Sequence, residues 1–393
     1  MASRYAIDAT LEHAVTKGEV AGVVAMATDG RETIYEGAFG KRVLGGEVAM
    51  TPDTVFWIAS MTKAITGASV MQLVEQGRIG LDDDVGRLVP ALAKPRVLGG
   101  FDAAGNPQLR PATKPVTLRR LLTHTAGFVY DMWNTDQGRY MEQTKISRPK
   151  SFVRPEDCLP LAFEPGARWE YGINIDWAGK VLEAITGETL DGYMQKNVLQ
   201  PLGMHTTGYL LRPEISARLA GGHNRQADGT LVAAPSPAVP VPPQDPRTFM
   251  GGGGLYGTAG DYIRFIRMML NGGMLDGVRI LKPETVALMG QNHIGDLDVA
   301  VMRSARPALS CDAEFWPGMK KKWGLTFLIN TEDVAGGRAA GSLCWAGLLN
   351  TYYWIDPKRG IGGTIMTQVL PFADPAVLRL YDGFERGVYG LAT

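Results

Sequence analysis

The sequence predicts an α/β (α+β) fold in which one antiparallel sheet, built from both ends of the chain and flanked by helices, carries a second, mainly helical lobe. Three observations predict it. Strand-like runs joined by short turn signals lie near both termini, while the middle of the chain is richer in helical periodicity and irregular segments. The length of 393 residues, 45% of them hydrophobic, is more than one simple layer needs, so two closely packed lobes are expected. The sheet domain is assigned to residues 1–65 and 250–393, and the helical lobe to residues 66–249.

Element by element, Ile7, Leu11, Ala14 and Val15 recur at helical spacing and stop at Lys17-Gly18, giving an amphipathic first helix. Val20 to Thr28 and Glu32 to Gly40 read as strands around the hairpin signal Asp29-Gly30. A helix follows from Met61, with Ala64, Ile65, Ala68, Met71, Leu73 and Val74 in phase and an end at Gln76-Gly77-Arg78. In the middle, Thr117 to Leu122, Ile175 to Ile185 and Leu190 to Val198 read as helices, the last closed by Pro201-Leu202-Gly203. The spaced prolines from Pro235 to Pro243 predict an ordered extended crossing. Gly251 to Gly254 lacks the Gly-Lys-Ser/Thr of a phosphate loop and reads as a tight backbone passage before a helix capped by Thr258. Trp323 to Ile329, Leu343 to Ile355 and Ile361 to Val369 read as strands, and a helix from about Pro375 to Tyr389 closes the fold.

Composition excludes several classes. Lys plus Arg equals Asp plus Glu at 40 each, so no basic field favours nucleic acid. The N-terminus turns polar at once and no segment reaches membrane-spanning length, which predicts a soluble, cytoplasmic protein without a membrane partner. The cysteines, Cys158, Cys311 and Cys344, are scattered and read as reduced packing thiols. The five histidines show no ligand spacing, so neither a metal nor a cofactor is expected.

The strongest chemical signal is Ser60-Met61-Thr62-Lys63, where an apolar strand-like run turns into the long helix. A serine hydroxyl is a weak nucleophile until a neighbour takes its proton, and a lysine one helical turn on faces it. Exposed N–H groups at the helix start suit an oxyanion. The motif alone is weak, for Ser147-Arg148-Pro149-Lys150 also fits; Pro149 and the lack of periodicity make that copy a loop. A Ser-His-Asp hydrolase is poorly supported because no G-x-S-x-G occurs, and His124 reads as a helix-end or turn residue.

Taken together, several ordered boxes resemble a known family. They are Ser60-Met61-Thr62-Lys63, Leu121 to Gly127, Trp169-Glu170-Tyr171-Gly172, Pro201 to Met204, Gly252 to Tyr256 and Trp345-Ala346-Gly347. The chain resembles the serine hydrolases of the class C β-lactamase and penicillin-binding-protein superfamily, and within it the family VIII carboxylesterases. The resemblance implies a β-lactamase/transpeptidase-like fold and gives Tyr171 as the second catalytic element, paired with Lys63. It departs from Y-x-N at Ile173, with Asn174 one residue later, which puts an amide contact to substrate in doubt.

By the same resemblance Trp345-Ala346-Gly347 replaces a Lys/His-Thr/Ser-Gly strand tripeptide, and Leu348 N–H joins that of Ser60 as the oxyanion hole. An indole instead of a cation disfavours a substrate carboxylate, so small esters are the expected substrates. Gly347 would let the strand approach substrate, and Tyr130, Trp133, Tyr256 and Trp345 are candidates for an apolar acyl pocket. The expected chemistry is ester hydrolysis through a Ser60 acyl-enzyme. An acyltransferase, a weak β-lactamase or DD-peptidase, and a non-catalytic ligand-binding relative stay open.

Overall fold

The structure, a computed structural model, describes residues 4–146, 158–234, 244–245 and 248–391. Seven antiparallel strands form the main sheet, in the order Lys321–Trp323, Leu328–Asn330, Leu343–Gly347, Thr351–Asp356, Ile361–Met366, Gly22–Thr28 and Thr33–Gly40. The first hairpin docks directly onto a strand from the far end of the chain, with Val24 opposite Met366. The glycine-turn signals at both ends therefore build one sheet.

Neighbouring residues on a strand point to opposite faces, which sorts the helices. Tyr353 meets Tyr262 of the Ala259–Leu270 helix, ring centroids 5.0 Å apart, whereas Trp354 meets Phe384 of the Pro375–Leu391 helix at 5.6 Å. The Arg4–Thr16 helix packs beside Pro375–Leu391. On the other side stands the Thr62–Glu75 helix, buried at every residue from Thr62 to Leu73. A helix apolar nearly all round belongs in the centre of a core, and it packs against Asn174–Thr186 and Leu190–Met194. One hydrophobic cluster runs from the sheet into these helices.

Two expectations need correction. The run from Leu343 to Ile355 is two strands, because Asn350 takes a left-handed conformation (φ 58°), returns its N–H to the Gly347 carbonyl and ties Val369 and Pro371 with its amide. Trp323 to Ile329 is likewise interrupted, with Thr326 at φ 79° between two short strands. The helical lobe also holds hairpins, Arg96–Phe101 with Pro107–Pro111 and His223–Arg225 with Leu231–Ala233. The Leu190 helix ends as a π-helical turn, Gln195–Leu199. The proline crossing from Pro235 to Pro243 and the second S-x-x-K copy at Ser147 lie outside the described residues. Among the described residues no helix is long and apolar enough to cross a membrane, and no cluster of possible metal ligands occurs.

Candidate active site

Ser60 lies in a 3-10 turn, Ala59–Met61, between the two-residue strand Phe56–Trp57 and the Thr62–Glu75 helix. Ala59 turns the chain with a positive φ of 44°, a conformation costing a non-glycine residue about 1–2 kcal/mol. Neighbours hold the turn in place. Ile58 N–H donates to Leu255 O at 3.1 Å, Leu255 N–H donates to Thr62 Oγ1 at 3.1 Å, and Tyr262 Oη–H donates to Met61 O at 3.0 Å. The strand end presses on it from the far side. A Cβ at Gly347 would overlap the Ile58 carbonyl and Thr351 Oγ1, so only glycine lets the tripeptide reach the turn that carries Ser60. Gly347 was expected to admit substrate; its close approach is to Ile58. The turn bearing Leu348 follows directly, half-buried beside the Ser60 segment.

Lys63 is fully buried. Its Nζ donates to Ser60 Oγ at 3.1 Å, Gly252 O at 2.6 Å and Tyr130 Oη at 3.3 Å, and stands 4.8 Å from the centre of the Tyr171 ring. The Gly252 carbonyl is itself fixed, since Gly252 N–H donates to the buried Asp176 carboxylate at 2.9 Å. The glycine run is thus a rigid acceptor for the lysine, and its next carbonyl, Gly253 O, takes the Trp57 indole N–H at 2.7 Å.

Tyr171, 3% exposed, is hydrogen-bonded to Ser60 and accepts the Trp345 Nε1–H at 2.8 Å. Burial holds its phenol well above the usual tyrosine value; the bonds from Ser60 and Trp345 pull it back, and the Asp176 charge adds to the rise. The strand register explains how Trp345 gets there: it pairs with Tyr353, and paired residues share a face, here the face toward the helices.

The expected pocket residues separate. Tyr130 brings its hydroxyl to Lys63 rather than serving only as an apolar wall, and Trp133 stacks edge-on to both Tyr130 and Tyr171, centroids 5.9 and 5.5 Å away. Trp345, given to substrate in the sequence reading, is 3% exposed and its single donor is taken by Tyr171. Tyr256 is not brought to the cluster, for its ring is buried in a small satellite core with Val55 and Ile215. Asn174 is fully buried and faces His124 and Phe128 O. Cys344 is buried beside Trp345, and burial pushes its thiol up to about 11, which leaves it unreactive. Sequence reasoning missed the Gly252 carbonyl and Asp176; backbone acceptors carry no residue signature, and Asp176 reads as a first-turn helix acid.

Trp345→Phe keeps a ring in place and removes the donor to Tyr171. The expected result is a fall in kcat of about 5–10-fold, one hydrogen bond's worth, with KM little changed. Steady-state kinetics on a nitrophenyl ester checks it, and a raised KM at constant kcat would return the indole to the substrate.

The antiparallel sheet with its helical lobe, and the serine and lysine at the start of the central helix, are the β-lactamase/transpeptidase-like fold of the serine hydrolase superfamily. The chain belongs to the Beta-lactamase family, whose model matches residues 7–385. It is similar to the monacolin J acid methylbutanoyltransferase of Aspergillus terreus, 34% identical over 98% of this chain and 95% of that protein. The lovastatin esterase of Penicillium rubens is 33% identical over 98% of both chains. Among solved structures, the unliganded selenomethionyl simvastatin synthase (LovD) of Aspergillus terreus matches with a TM-score of 0.87 and 31% identity, covering 100% of this chain and 99% of that one.

Proposed function

We propose that the protein is a serine carboxylesterase that takes esters of small acyl groups through a Ser60 acyl-enzyme, with the character of family VIII. The observation that carries this reading is the Ser60 Oγ to Lys63 Nζ bond of 3.1 Å inside a buried cluster shared with Tyr171. Ser60 attacks the ester carbonyl while its proton passes to the Lys63 and Tyr171 pair, which rests with one proton shared between amine and phenolate and so has one place free to take it. The N–H groups of Ser60 and Leu348 stabilise the oxyanion, each such donor being worth about 3 kcal/mol. The leaving alcohol departs with the proton, and water activated by the same pair releases the acid. The absence of a cation in Trp345-Ala346-Gly347 supports an ester over a β-lactam.

A second reading is favoured by the similarity to the Aspergillus terreus methylbutanoyltransferase. The same acyl-enzyme would then deliver its acyl group to an alcohol. Purified protein mixed with p-nitrophenyl 2-methylbutyrate, with and without monacolin J acid, tests both. An acyl adduct on the Ser60 peptide with p-nitrophenol and free acid as products supports the esterase; an ester of the added alcohol supports the transferase. No adduct and no p-nitrophenol would sink the assignment of Ser60.

A further inference from the structure

His124 takes no part in the steps above, yet it touches the chain on both sides of Tyr171. Its carbonyl accepts the Glu170 N–H at 3.1 Å, and its Nδ1 accepts the Gly172 N–H at 3.3 Å. Its ring lies against the Tyr171 ring, centroids 4.6 Å apart. A left-handed φ of 57° right after the Leu118–Leu122 helix turns carbonyl and imidazole toward this one segment. Gly172 makes the approach possible on the other side, since a Cβ there would overlap the Phe128 carbonyl.

The protonation state follows from the partners. Gly172 N–H is an obligatory donor. Asn174 Nδ2 donates to the Phe128 carbonyl at 2.7 Å, which fixes the amide's orientation and gives its other hydrogen to Nδ1 at 3.0 Å. Nδ1 is therefore a lone pair and the proton sits on Nε2, which among the described residues has no hydrogen-bond partner and lies among the rings of Trp169, Trp323 and Tyr171. Burial, and next the charge of Lys63, keep the imidazole neutral well below the usual histidine value. A neutral ring of this tautomer is a rigid acceptor and cannot serve as the base of Ser60, whose proton partners are Lys63 and Tyr171.

We propose that His124 is the positioning residue of Tyr171, its carbonyl and Nδ1 holding the N–H groups on either side of the phenol so that the hydroxyl stays on Ser60. The inference rests on the reading of Ser60, Lys63 and Tyr171 as the reacting groups. It also gives Asn174 a role: displaced by one position from Y-x-N, the amide secures the imidazole and is out of substrate's reach.

Three variants test it. Asparagine keeps an acceptor near the place of Nδ1 and tolerates a positive φ, leucine offers no acceptor, and glutamine sets its amide near the place of Nε2. For His124→Leu the expected result is a kcat lower by about 10²-fold with KM unchanged, because a misplaced proton partner costs rate and not binding. His124→Asn is expected to recover to within about 10-fold of wild type. His124→Gln should resemble His124→Leu and decides the matter if leucine fails to fold. Rates of fluorophosphonate labelling at Ser60 are read beside melting temperatures. Losses that follow melting temperature equally in Asn and Gln variants would reduce His124 to packing and overturn the proposal, as would wild-type kcat in either Leu or Gln. Failure of wild type itself to label would instead overturn the reading of Ser60, and this inference with it.

Discussion

Ser60→Ala is expected to lose about 10⁴-fold or more of the esterase rate and all fluorophosphonate labelling, with the melting temperature little changed. The hydroxyl sits half-buried in a turn whose shape is set by other groups: Leu255, Thr62, Tyr262 and the strand end at Gly347. Removing one oxygen leaves those constraints in place. Loss of activity without loss of fold would therefore report chemistry. Retention of most of the rate would mean that another nucleophile acts, and none of the described cysteines is suited to it, burial pushing Cys344 up to about 11 and Cys158 to about 12.

Lys63→Met should have the next largest effect, a loss of acylation rate of about 10³-fold or more. Methionine fills the same buried space but leaves Ser60 Oγ, Gly252 O and Tyr130 Oη without their common donor. Tyr171 would remain hydrogen-bonded to Trp345, yet its phenol, raised by burial, would have no amine beside it with which to share a proton. Pre-steady-state release of p-nitrophenol measures the acylation step directly. A variant within about 10-fold of wild type would show that Tyr171 suffices alone, and the pair would have to be abandoned.

Much of this was legible in the chain. Asp29-Gly30 announced the first hairpin, and the phase from Ala64 to Val74 announced the central helix with Ser60 and Lys63 at its start. Thr258 caps its helix as read, its Oγ1 accepting Asp261 N–H at 3.1 Å. What escaped was whatever depends on a third partner. Spacing gives Trp345 a donor, but only the fold brings Tyr171 within 2.8 Å of it. A glycine run reads as a passage; that its carbonyl meets Lys63 is a fact of tertiary packing. Leu343 to Ile355 reads as a single strand because Leu348 and Leu349 continue the apolar pattern and only Asn350 carries a turn cue. His124 was read as a turn residue, which describes its backbone and misses its ring.

The close fit of Gly347 against Ile58 has a consequence for when the enzyme comes alive. Ser60, Lys63 and Tyr171 all leave the ribosome well before the strand that braces the Ser60 turn, for Trp345, which supplies the donor to Tyr171, lies 174 residues further on, and the sheet holding that strand joins segments far apart in the chain. On the proposed reading, a nascent chain therefore carries its serine long before it can use it, and reactivity arrives only when the Trp345 strand has joined the sheet.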